Sequence, residues 1–126
     1  MAKKVTVLVI DDNPDLLDIV DGILSECGIV VAKALSGESG LSVARSLQPG
    51  LILLDLNMPR MDGWEVLKLL KAAPETRHIP VAIFSVRTDM KDKMFGIQRG
   101  AIDYISKPFE YNDFAQRVKR IIAQIS

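Results

Sequence analysis

The sequence predicts a doubly wound α/β fold, in which a parallel sheet carries helices on both faces. Short apolar runs rich in β-branched residues recur five times, and stretches of helical periodicity separate them. The run at 51–54 contains no polar residue, which is typical of a strand buried on both faces of a parallel sheet. Because right-handed crossovers place helices on both sides of such a sheet, this alternation predicts the fold class.

The first half of the chain contains three predicted strands, at 5–10, 29–34 and 51–54. Asn13 and Pro14 supply an N-cap and a first-turn proline for the helix after the first strand, and Gly28 ends that helix. Ser36 is the expected cap of the second helix, which ends before Pro49. These start and stop signals establish the alternation of strand and helix.

The second half contains predicted strands at 79–84 and 101–105. A turn at 59–63 leads into the third helix, a fourth covers 90–98, and a fifth follows Pro108. Gly96 lies within the fourth helix, where glycine costs about 1 kcal/mol relative to alanine, so we expect that helix to be the softest element. The apolar positions that define the helices include Ile19, Leu47, Leu69 and, on the inward face of the last helix, Ile125.

Length and composition predict a single domain covering residues 1–126. The apolar runs are too short to enter a membrane, and Cys27 is the single cysteine, so no internal disulfide forms and a cytoplasmic protein is expected. Basic residues outnumber acidic ones after residue 65, but they are scattered among few aromatic residues. We therefore expect no direct contact with nucleic acid.

Polar side chains follow four of the predicted strands. Asp11 and Asp12 follow the first strand, Asp55 the third, Ser85 the fourth and Lys107 the fifth. In a parallel sheet all these positions lie at the carboxyl edge, where open α/β sheets bind ligands. Taken singly, each residue also suits a turn, a helix cap or an exposed loop. Their convergence on one edge predicts a functional site.

The residue types at this edge indicate phosphoryl chemistry. Three neighbouring carboxylates repel one another and favour a divalent cation, and oxygen ligands that leave positions open suit Mg²⁺ better than Ca²⁺. A lysine and a hydroxyl beside the metal would neutralise and bind phosphoryl oxygens. One of the aspartates would then act as the nucleophile and become an acyl phosphate.

Three motifs resemble the receiver domain of two-component response regulators, in particular the chemotaxis-type single-domain receiver. They are VLVIDDN at 7–13, LILLDLNMPRMDG at 51–63 and GAIDYISKPF at 100–109. The resemblance implies a flavodoxin-like sheet with the strand order 2-1-3-4-5 and makes Asp55 the phospho-acceptor. It also implies that Asp12, Asp55 and the backbone carbonyl of Asn57 bind Mg²⁺, with Asp11 binding directly or through water.

The resemblance assigns roles to three further residues. Lys107 would pair with the phosphoryl group, and its bond to Pro108 would be cis, an isomer found in about 5–6% of X-Pro bonds. Ser85 would bond a phosphoryl oxygen, and Tyr104 would turn inward as that hydroxyl moves. Two positions depart from the family pattern: Ser85 replaces the commoner threonine, and Val86 replaces a smaller residue and could narrow access to the site.

The sequence therefore predicts a switch rather than a turnover enzyme. It would take a phosphoryl group from a sensor histidine kinase or a histidine phosphotransfer protein and present an altered surface to a downstream effector. One alternative is a receiver-like scaffold that acts without phosphorylation. A haloacid-dehalogenase-like phosphatase would need an Asp-x-Asp pattern after the first strand, and an FMN-binding flavodoxin would need a hydroxyl- and glycine-rich loop there. Asp11-Asp12-Asn13 fits neither.

Overall fold

The computed structural model of the chain describes residues 5–86 and 90–125, apart from the side chains of residues 90–92. Strands and helices alternate in the order β1 Thr6–Ile10, α1 Pro14–Glu26, β2 Val30–Ala34, α2 Gly37–Leu47, β3 Leu51–Leu54, α3 Gly63–Ala72, β4 Val81–Ser85, α4 Met90–Gln98, β5 Asp103–Ser106 and α5 Tyr111–Ile125. The strands are parallel and form one sheet with the order β2-β1-β3-β4-β5. The predicted fold class and strand order are confirmed.

The sheet separates two hydrophobic layers. In β1, Val7 and Val9 contribute to the layer shared with α1 and α5, whereas Leu8 and Ile10 contribute to the layer shared with α2 and α3. All residues of β3 are fully buried, as predicted for a strand covered on both faces. Because burial of one such side chain contributes about 1.5–3 kcal/mol, this central strand is a firm base for the residue that follows it.

Three helices begin at side chains that cap their first turn. The Asn13 side-chain oxygen accepts hydrogen bonds from the backbone N–H groups two and three residues later, at 3.1 and 3.2 Å. Ser36 caps α2 with one such bond of 3.1 Å. These two caps were predicted, but the cap of α3 was missed: it is Asp62, which accepts a 3.0 Å bond from the N–H three residues on.

Among the described helices, none is long and apolar enough to cross a bilayer.

Two strands, β4 and β5, begin two residues later than the apolar runs predicted, whereas β1 and β2 begin one residue later. The prediction for β5 included Ala101, but the N–H of Ala101 bonds to the carbonyl of Gly96 at 2.9 Å and so completes the turn that ends α4. The prediction for β4 included Ile79, whose N–H bonds to Thr76 at 3.0 Å in the preceding turn. At its other end β4 includes Ser85, which the prediction placed in a loop.

Several apolar helix residues expected on buried faces are exposed. They are Ile19 (55%), Leu47 (45%), Leu69 (37%) and Ile125 (37%). Leu47 and Ile125 are the last residues of α2 and α5, where no further turn packs over them. Ile19 lies one residue before the buried Val20, and a step of about 100° around the helix turns it away from the sheet. Apolar content alone therefore overestimated the width of the buried stripe.

The turn after β3 brings the start of α3 against the end of the strand. Gly63, the first residue of α3, donates its N–H to the carbonyl of Leu56 at 3.0 Å. A Cβ atom at position 63 would lie 2.2 Å from the backbone oxygen of Asp55 and 2.6 Å from the Cα of Leu56. Only glycine fits such an approach of two backbones. The amino end of α3 is therefore held against the backbone of Asp55.

Gly63→Ala is expected to lower the free energy of unfolding by about 1–3 kcal/mol, the usual range for overpacking. The added methyl group would overlap backbone atoms, which cannot move aside as a flexible side chain does. Urea titration measures the effect. The matched control is Gly22→Ala in α1, where an added Cβ meets nothing within 4 Å and helix propensity favours alanine. Equal free energies of unfolding for the two variants would contradict the prediction.

Gly96→Ala is expected to raise the free energy of unfolding by about 0.5–1 kcal/mol, the cost of glycine within a helix. An added Cβ would lie 3.5 Å from Cγ1 of Ile83 and 3.6 Å from the Trp64 ring, which are ordinary contacts. Thermal unfolding measures the change. Gly100→Ala should have the opposite sign, because Gly100 has a φ of +107° and its Cβ would crowd the Lys71 side chain at 3.1 Å. A lower melting temperature for both variants rules out the stated role of Gly96.

Candidate functional site

The ends of β1 and β3 place two aspartates side by side at the carboxyl edge of the sheet. Ile10 and Leu54, the last residues of these strands, are register partners. The N–H of the next residue, Asp55, donates to the carbonyl of Ile10 at 3.0 Å, and the N–H of Asp11 donates to Ala34 at 3.0 Å. The hydrogen-bond ladder of the sheet therefore sets the spacing between the two carboxylates.

Asp11, Asp12 and Asp55 form a compact acidic cluster. Each offers one carboxylate oxygen, and these oxygens lie within 4.8 Å of one another. Asp11 and Asp55 are buried, with 1% and 6% of their surface exposed, whereas Asp12 is exposed. Two like charges 4 Å apart repel by about 4 kcal/mol at an effective dielectric of 20. The cluster therefore favours a cation, and its oxygen ligands could hold a hard divalent metal ion.

Lys107 lies between the two buried carboxylates. Its Nζ is 2.5 Å from Oδ2 of Asp11 and 3.6 Å from Oδ1 of Asp55. The main chain at Lys107 is held by its N–H, which donates to the carbonyl of Ser85 at 3.0 Å. The Lys107–Pro108 peptide bond is cis, as the resemblance implied. One ammonium group thus faces carboxylates that come from two different strands.

The surroundings of Asp55 raise the pKa of its carboxyl above the ordinary value of 3.8. Burial is the main cause, because it disfavours the charged form. Two neighbouring groups lower this pKa, namely the Lys107 ammonium and, to a smaller extent, the backbone N–H of Asn57. The negative charges of Asp11 and, more weakly, Asp12 raise it. Asp55 is therefore a carboxylate whose negative charge is only partly compensated.

An open cleft of about 440 Å³ leads to these side chains. It is lined by Asp11, Asp12, Asn13, Leu16, Asp55, Asn57, Val86, Lys107, Pro108 and Phe109. Its volume falls within the range of small-molecule sites. Val86 is 60% exposed and stands on the wall of this cleft, where the sequence predicted a branched side chain beside the site. The cleft therefore makes Asp55 accessible to a reactant from solution.

Ser85 and Tyr104 do not line that cleft. Ser85 ends β4, is fully buried and is joined to Lys107 by the backbone bond already described. Tyr104 in β5 is 7% exposed and borders a second cleft of about 420 Å³. Its N–H donates to Oδ1 of Asp103 at 2.8 Å, and its carbonyl accepts a 3.3 Å bond from Arg117. The structure therefore places Ser85 at the carboxyl edge beside the backbone of Lys107, and it buries Tyr104 at the border of a different cleft.

The ion pair beside Tyr104 was not found from the sequence. Nη2 of Arg117 in α5 lies 2.6 Å from Oδ1 of Asp103 in β5. An aspartate within a predicted strand is a signal that a partner is required, because an isolated charge is costly near a hydrophobic layer. The sequence does not say which basic residue of α5 supplies that partner.

Comparison with known proteins identifies the family. Residues 7–119 match the family described as the response regulator receiver domain. The chain is 37% identical over 116 residues to the DNA-binding dual master transcriptional regulator RpaA of Synechocystis, covering 92% of this chain and 48% of RpaA. It spans about half the length of the curated relatives it matches.

Solved structures agree with this assignment. The receiver domain of Francisella response regulator 1452 has a TM-score of 0.88 and 28% identity, covering 98% of this chain and 100% of that one. The chemotaxis protein CheY4 of Vibrio cholerae has a TM-score of 0.87 and 26% identity, covering 94% and 99%. Together with the carboxyl-edge cluster of aspartates and lysine, these matches show that the chain belongs to the response regulator receiver domain family of two-component signalling.

Proposed function

We propose that the chain is a phosphorylation-activated signalling switch, in which Asp55 accepts a phosphoryl group from a phosphohistidine donor in a Mg²⁺-dependent reaction. The observation that carries this proposal is the position of Asp55. It is buried among two other carboxylates, it lies 3.6 Å from a lysine ammonium, and it borders an open cleft. A carboxylate in this setting is accessible from the cleft, and nearby positive charge balances only part of its negative charge. Both properties suit a nucleophile for phosphoryl transfer.

Asp55 supplies the attacking oxygen. As its bond to phosphorus forms, the phosphorus–nitrogen bond of the donor breaks, and the electron pair remains on the imidazole nitrogen. The ammonium of Lys107, already close to Asp11 and Asp55, neutralises charge on the phosphoryl oxygens. Attack by water on the acyl phosphate later restores the carboxylate and releases inorganic phosphate. The protein thus resets itself and does not turn over a separate substrate.

Asp11, Asp12, Asp55 and the backbone carbonyl of Asn57 are the ligands that we propose for Mg²⁺. The oxygens of the three carboxylates lie within 4.8 Å of one another, and Asn57 lines the same cleft. Mg²⁺ prefers oxygen ligands and keeps open positions for water, so this donor set suits it. When bound, the ion neutralises the carboxylates and the phosphoryl oxygens. Asp11 also pairs with Lys107. As the resemblance implies, we propose that Asp11 binds the ion either directly or through water.

Ser85 and Tyr104 are the residues proposed to pass the change at Asp55 to the surface. The backbone bond between Ser85 and Lys107 joins the two strand ends at this edge of the sheet, and we propose that the Ser85 hydroxyl bonds a phosphoryl oxygen there. Tyr104 lies beside β4 as the register partner of Ile83. Phosphorylation would shift the population between two packings of Tyr104 and so change the surface formed by α4, β5 and α5.

The proposed partners follow from this chemistry. The donor is a sensor histidine kinase or a histidine phosphotransfer protein, and the target is a downstream effector protein. Curated relatives such as RpaA are named as transcriptional regulators and extend to about twice the length of this chain. We therefore propose that an effector region or protein, and not the receiver itself, makes any contact with nucleic acid. The proposed location is the cytoplasm, without membrane insertion.

Acetyl phosphate with Mg²⁺ is expected to phosphorylate the wild-type protein once, and Asp55→Asn is expected to abolish this, because the amide lacks the nucleophilic oxygen. Intact-protein mass spectrometry measures the modification. Beryllofluoride with Mg²⁺ should shift the amide resonances of Asp55, Ser85 and Tyr104 in the wild type but should leave the spectrum of Asp55→Asn unchanged. The matched control is Asp113→Asn, which makes the same change at an exposed position of α5 and should leave both responses intact.

A wild-type protein that neither gains phosphate nor changes its spectrum would refute the switch. The phosphorylation-independent scaffold predicts that outcome, together with partner binding that is equal in the wild type and in Asp55→Asn.

In the absence of divalent cations, Asp55→Asn is expected to raise the free energy of unfolding at neutral pH. Because the pKa of Asp55 is raised in the folded state, the folded protein binds more protons than the unfolded protein between pH 3.8 and that raised pKa. The free energy of unfolding therefore falls as the pH rises through this interval. The gain from the substitution should shrink as the pH is lowered towards 3.8. Urea titrations across this range measure it. Added Mg²⁺ should stabilise the wild type and so reduce the difference in free energy of unfolding between the two proteins. A difference that does not change with pH would contradict the prediction.

A further inference from the structure

Helix α4 buries one small residue among the side chains that the structure describes in it. Among its described side chains, at 93–98, Gly96 is the buried one. The neighbouring apolar residues are exposed: Met94 by 56%, Phe95 by 37% and Ile97 by 53%. A Cβ on Gly96 would lie 3.5 Å from Ile83 of β4 and 3.6 Å from the ring of Trp64 in α3. The position of α4 over the sheet therefore depends on what lies against Gly96.

Trp64 makes a second contact with α4. Its ring meets that of Phe95 edge to face, with the centroids 4.7 Å apart and the planes at 84°. The guanidinium carbon of Arg99 lies 3.9 Å from the centroid of the same phenylalanine ring. Edge-to-face pairs and cations over aromatic rings are both attractive arrangements. Trp64 thus contacts the side chain of Phe95, and its ring lies beside the space that a side chain at Gly96 would enter.

At its other end, Trp64 is tied to the phospho-acceptor. It directly follows Gly63, whose Cα is pressed against the backbone oxygen of Asp55 and whose N–H bonds to Leu56 at 3.0 Å. There is no space between these backbones to absorb a shift, since even a methyl group would overlap Asp55. A displacement of residues 55–56 must therefore move the first turn of α3, and with it the tryptophan ring.

We propose that Trp64 is a positioning residue that couples α4 to the backbone of Asp55. In this route a change at Asp55 reaches α4 through Gly63, the Trp64 ring and Phe95, in addition to the route through Ser85 and Tyr104. The inference rests on the proposed function, because it concerns how phosphorylation of Asp55 would be felt at α4. It also makes the single tryptophan of the chain an intrinsic fluorescent probe of the state of α4.

The test compares amide resonances of the full chain with and without beryllofluoride and Mg²⁺. The shift of Leu56 reports the state of the acceptor, and the shift of Gly96 reports the state of α4. In Trp64→Leu and in Phe95→Leu we expect the Gly96 shift to fall at least about twofold relative to the Leu56 shift. Phe95→Tyr keeps the ring and should restore it. Met94→Leu changes a neighbouring exposed residue of α4 and should leave the ratio unchanged.

The ratio of the Gly96 shift to the Leu56 shift distinguishes coupling between Asp55 and α4 from a merely structural effect. A structural effect would change the free energy of unfolding but not this ratio. Phe95→Leu guards against misfolding of the Trp64 variant, because Phe95 is partly exposed on α4. If Leu56 still responds and the Gly96 shift keeps its wild-type size in both leucine variants, this inference is wrong. The proposed function as a switch is then unaffected. A wild-type protein that is silent at both Leu56 and Gly96 overturns the inference and the proposed function together.

Discussion

The repulsion between the buried carboxylates of Asp11 and Asp55 is the constraint on which the site depends. Neither residue can move away, because each continues the hydrogen-bond ladder of the sheet beyond the last residue of its strand. Lys107 offsets part of this repulsion, but it lies much closer to Asp11 than to Asp55. The negative charge of Asp55 is therefore less compensated than that of Asp11. Either a bound cation or protonation of one of the two carboxyl groups would reduce the repulsion between them.

The base of the site and the helix at its periphery differ in burial. Fully buried β3 and the contact of Gly63 with Asp55 hold the backbone at Asp55, whereas Gly96 is the buried residue among the described side chains of α4 and Phe95 packs on the Trp64 ring. Elements that change position in a switch are drawn from the less stable parts of a fold. The same chain thus combines a well-packed site with a helix whose described apolar side chains are largely exposed.

Sequence reasoning placed Asp11 and Asp55 at the same edge of the sheet because strand ends are easy to locate in parallel sheets. Asp11 and Asp55 each follow an apolar run, and the register of β1 with β3 then makes their proximity unavoidable. It failed where apolar content did not indicate geometry. Ala101 and Ile79 are apolar but belong to turns, and Ile19 is apolar but faces solvent. In each case a local hydrogen bond or the angle around a helix outweighed hydrophobicity.

By itself, the sequence determined the fold class and the set of residues at the carboxyl edge of the sheet, because hydrophobic periodicity and capping residues are local properties of the chain. Only the tertiary structure decided the pairing of Lys107 with both Asp11 and Asp55, the inward position of Tyr104 and the contact between Trp64 and Phe95. These join side chains that are far apart in sequence or that lie on different elements. Their distances depend on how whole helices pack on the sheet, and no local pattern encodes that packing.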